Sequence, residues 1–126
     1  MTYQQNNINK TLLMFKEKAE ERRKEQEIDK VINVSKNYVK NLYSRLDEDI
    51  DYEIRQGSIL LLISVSDYIP NINNYTYRYH DDFKIIIDDY KKQQKDNISN
   101  YLTTNGYIFT TDDMTFTVNL TEYDEK

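Results

Sequence analysis

Residues 28–66 read IDKVINVSKNYVKNLYSRLDEDIDYEIRQGSILLLISVS. Ile28, Val31, Ile32, Val39, Leu42, Tyr43, Leu46, Ile50 and Ile54 recur at steps of three and four. That spacing lays them on one stripe of a 3.6-residue helix. Ser35 and Asn37 are its weak places, and a break near Asn33–Asn37 is the alternative to one rod. Gly57 follows the last apolar position, where helices commonly end on a left-handed residue. Ile59 to Val65 is then a short apolar run rich in branched side chains, bounded by Gly57 and by Pro70-Asn71. It reads as a strand buried on both faces. A helix from Ile28 to Gly57 spans roughly 45 Å, more than a small sheet covers, so part of it must project or find a partner.

Upstream, Ile8, Leu12, Phe15 and Ala19 begin another helical pattern, with Asn7 or Asn9 as its cap. Residues 1–7 are polar and expected to fray. From Glu17 to Glu27 Ala19 is the one apolar residue, and the i,i+4 charge pairs are mixed, opposite at Lys16-Glu20 and Arg23-Glu27 and like at Lys18-Arg22 and Glu21-Glu25, as on a solvated helix. A helix polar in its middle and apolar at both ends is expected to touch something at each end. Residues 1–30 therefore read as a polar helical arm on a body of residues 31–126. Leu12, Leu13, Met14 and Phe15 are the arm's candidate docking patch.

Downstream, Asp67–Asn74 is a turn region. Tyr75-Thr76-Tyr77-Arg78-Tyr79-His80 alternates strictly and predicts a second strand, with Tyr75, Tyr77 and Tyr79 on one face. Asp81-Asp82 then opens a helix. Its inner stripe is Phe83, Ile86, Ile87, Tyr90, Gln94, Ile98, Tyr101 and Leu102, and Asn105-Gly106 stops it. Tyr107–Thr110 and Met114–Leu120 form a hairpin around Asp112-Asp113, with Met114, Phe116, Val118 and Leu120 inward. The tail Thr121–Lys126 is acidic and expected to be loose. The predicted fold class is α+β, in the order α-β-β-α-β-β: a long N-terminal helix, then an antiparallel sheet of about four strands with helices on one face.

Composition narrows the chemistry. The 126 residues hold no cysteine, two glycines, one proline and one histidine. Disulfides and thiolate metal sites are excluded, and no phosphate-cradling glycine loop is available. His80 lacks a second histidine, so metal or acid/base work has too few convergent groups. The pairs Asp81-Asp82, Asp88-Asp89 and Asp112-Asp113 read as caps, turns and solvated positions. No catalytic residue, metal or cofactor is expected, and the chain reads as a non-enzyme. No apolar run approaches the roughly 18 residues that span a bilayer, so no membrane partner is expected.

Charge is divided along the chain. Residues 1–46 hold ten Lys and Arg against six Asp and Glu, a net +4; residues 47–126 hold seven against sixteen, a net −9. A surface this acidic can imitate DNA and occupy a basic enzyme. Tyr75, Tyr77 and Tyr79 are a candidate stacking face for single-stranded nucleic acid. Arg78 points to the other face of the predicted strand, however, and the surrounding charge repels phosphate, so nucleic acid is not the favoured partner.

Two further stretches carry a resemblance. Tyr101-Leu102-Thr103-Thr104-Asn105-Gly106-Tyr107 runs from helix into strand ahead of Phe116-Thr117-Val118, and Ile54-Arg55-Gln56-Gly57 precedes the apolar strand. Over residues 45–120 this pattern resembles small α+β proteins of tailed phages and large DNA viruses. The resemblance implies a viral source and a place in the host cytoplasm or the virion, and supplies no active site. The reading is then a virion structural or assembly component that works through protein–protein contact. Its partner is another copy, through coiled-coil-like helix pairing, or a viral or host protein. The alternatives are an acidic inhibitor of a host defence or nucleic-acid enzyme, and a single-stranded nucleic-acid binder.

Overall fold

A computed structural model describes residues 2–123. Three helices and three strands form an α+β fold: α1 (Thr2–Lys40), α2 (Leu42–Arg55), β1 (Leu60–Ser64), α3 (His80–Thr104), β2 (Tyr107–Asp112) and β3 (Thr115–Tyr123). The segment between β1 and α3 is wound into three short 3-10 turns, Val65–Tyr68, Ile72–Asn74 and Tyr77–Tyr79.

The long helix is longer than its apolar stripe, and it bends at a different place from the one predicted. Helix α1 starts at Thr2, so Asn7 and Asn9 lie inside it rather than capping it. It passes through Asn33–Asn37 unbroken, and the buried Ser35 hydroxyl is satisfied within the helix by donating to the Val31 carbonyl one turn back at 2.7 Å. The interruption falls at Asn41, with φ −96° and ψ 4°. Backbone bonds persist across it: Asn41 N–H donates to Asn37 O and Arg45 N–H to Asn41 O. Arg45 spans the bend, its guanidinium 4.9 Å from the Tyr38 ring and 5.4 Å from the Tyr68 ring.

Helix α2 ends as predicted. Gly57 takes φ +77° and its N–H donates to Ile54 O, while Ser58 N–H reaches back to Glu53 O, closing the last turn. The chain then enters β1, which lies at an edge of the sheet. The strand order is β1-β3-β2, all antiparallel, with Leu61 opposite Val118 and Ile63 opposite Phe116. The expected burial on both faces does not hold: Ile63 is buried, whereas Leu60 and Leu62 are 56 and 68 % exposed. An unbroken apolar run hides the alternation that would have separated the two faces.

The fourth predicted strand is absent as well. Tyr75–His80 forms no strand among the described residues; Tyr77–Tyr79 is a 3-10 turn and His80 begins α3. The signal that outweighed the alternation is a step of four. Tyr79, Phe83 and Ile87 turn inward together at helical spacing, and Tyr75, on extended backbone ahead of the 3-10 turn, packs beside them. Ring centroids lie 5.9 Å apart for Tyr75–Phe83 and 6.1 Å for Tyr79–Phe83, both edge-on.

Burial divides into two clusters. The larger joins Leu42, Leu46 and Ile50 of α2, Ile98 and Leu102 of α3, and Ile63, Phe116 and Val118 of the sheet. Helices α2 and α3 thus cover one sheet face, and Leu60, Leu62 and Ile108 lie on the other, exposed. The smaller cluster packs Val31 of α1 against Ile69, Tyr79, Phe83 and Ile87 and secures the base of the arm. Gln94 lies fully buried on α3, its amide nitrogen donating to Tyr68 O at 2.8 Å and its oxygen accepting from Asn97 at 3.1 Å. The hairpin turns at Asp113, φ 52°, a conformation Asp tolerates. Strand β3 continues to Tyr123, so the first part of the predicted loose tail is paired strand, and residues 124–126 lie outside the described residues.

Candidate interaction surfaces

Side-chain contacts between the arm and the rest of the chain begin, among the described residues, at Glu20. Its carboxylate accepts from the Tyr79 hydroxyl at 2.5 Å and pairs with Arg78 Nε at 3.1 Å. One turn on, Lys24 Nζ lies 3.2 Å from Asp82. Ile28 and Val31 follow as apolar contacts. The bond to Glu20, with some desolvation, pushes the Tyr79 hydroxyl above its ordinary pKa. Two further tyrosines tie the helices by the same chemistry: Tyr68 donates to Asp49, and Tyr101 to Asp47. Burial first, then these bonds, raise both hydroxyls well above the usual tyrosine range.

On the other side of Glu20 the described side chains of the arm lie open to solvent. Every residue from Lys10 to Ala19 is exposed. Within that run Leu12, Leu13, Met14 and Phe15 are 52 to 64 % exposed. Consecutive helical residues point about 100° apart, so these four encircle the axis as a collar rather than a stripe. A single flat partner face cannot cover all four; a groove or several surrounding helices can.

The tyrosines predicted to share a face are dispersed. Tyr75 is half-buried, Tyr79 is buried, and Tyr77 is 83 % exposed beside the His80 ring at 4.6 Å. With about three residues per 3-10 turn, positions two apart cannot project together. His80 Nε2 lies 3.1 Å from Ile72 O and the ring is half-buried, so this residue ties the start of α3 to the turn that precedes it. Asp81 and Asp82 occupy the first turn of α3 without a side-chain cap bond, and Asp82 is engaged by Lys24. Among the described residues no three His, Asp or Glu side chains converge as metal ligands, and no helix is long and apolar enough to cross a membrane. The chain matches no protein-family model, no curated protein and no solved structure.

Proposed function

We propose that this chain is a non-enzymatic interaction protein, a component of a virion or of its assembly, whose projecting helix carries the binding tip. The observation behind the reading is the collar Leu12–Phe15, each side chain over half exposed within the exposed run Lys10–Ala19. Full burial of such a side chain is worth about 1.5–3 kcal/mol, so covering the exposed part of each gives about 1–2 kcal/mol. Two tips packed side by side cover about half of each collar and would gain of order 5 kcal/mol, at the low end of the roughly 4–15 kcal/mol that association costs. Self-association through one pair of tips is then weak, and a bundle of several arms or a preformed groove in a viral or host protein binds more tightly.

The test is molar mass by light scattering after size exclusion, over a wide concentration range, for the full chain and for the double variant Leu12→Asp, Phe15→Asp. The reading expects concentration-dependent assembly of the parent and a monomeric variant with unchanged helix content. Assembly identical in both, or a parent that stays monomeric and binds no viral or host protein through the tip, defeats it.

A further inference from the structure

The edge of β1 is unusually unguarded. Edge strands are commonly blunted by charge, proline or a bulge, yet Leu60-Leu61-Leu62-Ile63-Ser64 carries no charge and no proline and pairs in unbroken register with β3. The direction of its backbone groups follows from the two bonds that frame the ladder. Leu120 N–H donates to Ile59 O and Val65 N–H to Met114 O. Antiparallel strands alternate bonded and non-bonded pairs. The odd-numbered residues of β1 therefore face β3, and the N–H and C=O of Leu60, Leu62 and Ser64 face away from the sheet.

A groove of about 170 Å³ runs along this edge between β1 and α2. Its α2 wall carries Asp49, Tyr52 and Glu53, with Asp67 at one end, and no basic side chain is among its lining residues. Arg45 lies beyond the Asp67 end and reaches that residue's carbonyl oxygen at 3.4 Å. On the opposite face of the sheet stand the exposed side chains of Leu60 and Leu62. The two sides of the edge thus ask for different chemistry.

We propose that β1 is a docking edge for an extended segment of another protein whose residues alternate apolar and basic, added antiparallel as a fourth strand. Main-chain bonds to Leu60, Leu62 and Ser64 supply the affinity, as in β-strand addition generally. The segment's apolar residues lie beside Leu60 and Leu62, and its Lys or Arg residues turn to the α2 side, toward Asp49, Glu53 and Asp67. Charge selects this occupant over a second copy. Two β1 edges paired about a twofold axis would bring both sets of these three carboxylates together, and like charges across an interface repel.

The geometry makes a position-specific test. Residues opposite Leu60, Leu62 and Ser64 exchange hydrogen bonds with them, and these are the apolar residues of the segment; its basic residues point their N–H groups away. The probe is the capped, fluorescein-labelled peptide Lys-Val-Lys-Val-Lys-Val-Lys, titrated with the full chain by anisotropy at ~0.15 M salt. Saturable one-to-one binding is expected, with the Leu60, Leu62 and Ser64 amides exchanging more slowly in the complex. N-methylation of the valines should weaken binding at least about tenfold, through loss of two or three main-chain bonds. N-methylation of the lysines should leave it nearly unchanged. A Glu-Val counterpart should not bind. Leu62→Pro, which removes an outward-facing N–H and the leucine side chain but no bond of the ladder to β3, should abolish binding while the helical circular dichroism is retained. Failure of the Lys-Val peptide to bind overturns the proposal, as does equal binding by the valine-methylated peptide, which would mean charge attraction alone. Full binding by Leu62→Pro would place the peptide elsewhere. A free chain that is dimeric and becomes monomeric in Leu62→Pro would assign the edge to a second copy.

Discussion

Replacing Phe83 by alanine tests whether the base of the arm is held by packing. Phe83 is 0 % exposed and its ring has Tyr75, Tyr79 and His80 rings within 6.4 Å. Its removal forfeits the transfer of a large side chain and leaves a cavity walled by residues that cannot all collapse. Ile87 and Val31 are held on the backbones of α3 and α1, and Ile69 follows the first 3-10 turn. Phe-to-Ala changes in such places cost about 3–5 kcal/mol, a fifth or more of the ~5–15 kcal/mol that stabilises a typical domain. The corresponding fall in Tm is of order 10–20 °C for a chain of this length. Urea titration followed by circular dichroism and by tyrosine fluorescence measures the loss. Because the smaller cluster is separate from the one beneath the sheet, hydrogen exchange should rise most in the middle of α1 and over residues 69–87. Ile98→Ala, in the larger cluster, should instead weaken protection across α2 and the strands. A loss below about 1 kcal/mol for Phe83→Ala, or identical exchange patterns for the two variants, would refute the two-cluster account.

Gln94→Leu keeps the side-chain volume but leaves the Tyr68 carbonyl without its side-chain donor; denaturant titration should show a loss of about 1–3 kcal/mol. Gly57→Ala meets no atom within 4 Å of the added carbon, so its expected cost of roughly 1–2 kcal/mol is purely that of left-handed backbone, and Gly57→Asn should recover part of it. The raised tyrosine pKa values make stability fall at alkaline pH. Tyr68, Tyr79 and Tyr101 hold their protons more tightly folded than unfolded. Their contribution is complete below the ordinary tyrosine range and declines as pH rises through it. Absorbance titration at the phenolate band should show Tyr68 and Tyr101 ionising only with unfolding and Tyr79 ionising above the ordinary tyrosine range, and Tyr68→Phe with Tyr101→Phe should flatten the alkaline dependence.

The parts of the fold that were legible in the sequence are those where one face alone is buried. The stripe of α3 from Phe83 to Leu102 and the alternation of Met114, Phe116, Val118 and Leu120 each display their period directly. Residues 75–80 satisfied two periods at once, two for the tyrosines and four for Tyr75, Tyr79, Phe83 and Ile87. The choice between them depended on whether Val31 would be there to pack against, which is a long-range fact. The exposure of Leu60 and Leu62 was illegible for a different reason. A continuous apolar run carries no mark of which side meets solvent, so the open edge of β1 came from strand order alone. The patch Leu12–Phe15 could be named from the sequence, but its encirclement of the axis follows only once the arm is helical through that point.

The anchoring of α1 has a mechanical consequence. With Val31 as fulcrum, the collar sits some nineteen residues out, roughly 28 Å along the axis. A tilt of ten degrees at the base would sweep Leu12 through about 5 Å, the pitch of one helical turn. The Glu20 and Lys24 contacts resist that swing at two points between fulcrum and tip. They act as guy-lines, and neutralising Glu20 should widen the arc the tip explores without melting the helix that carries it.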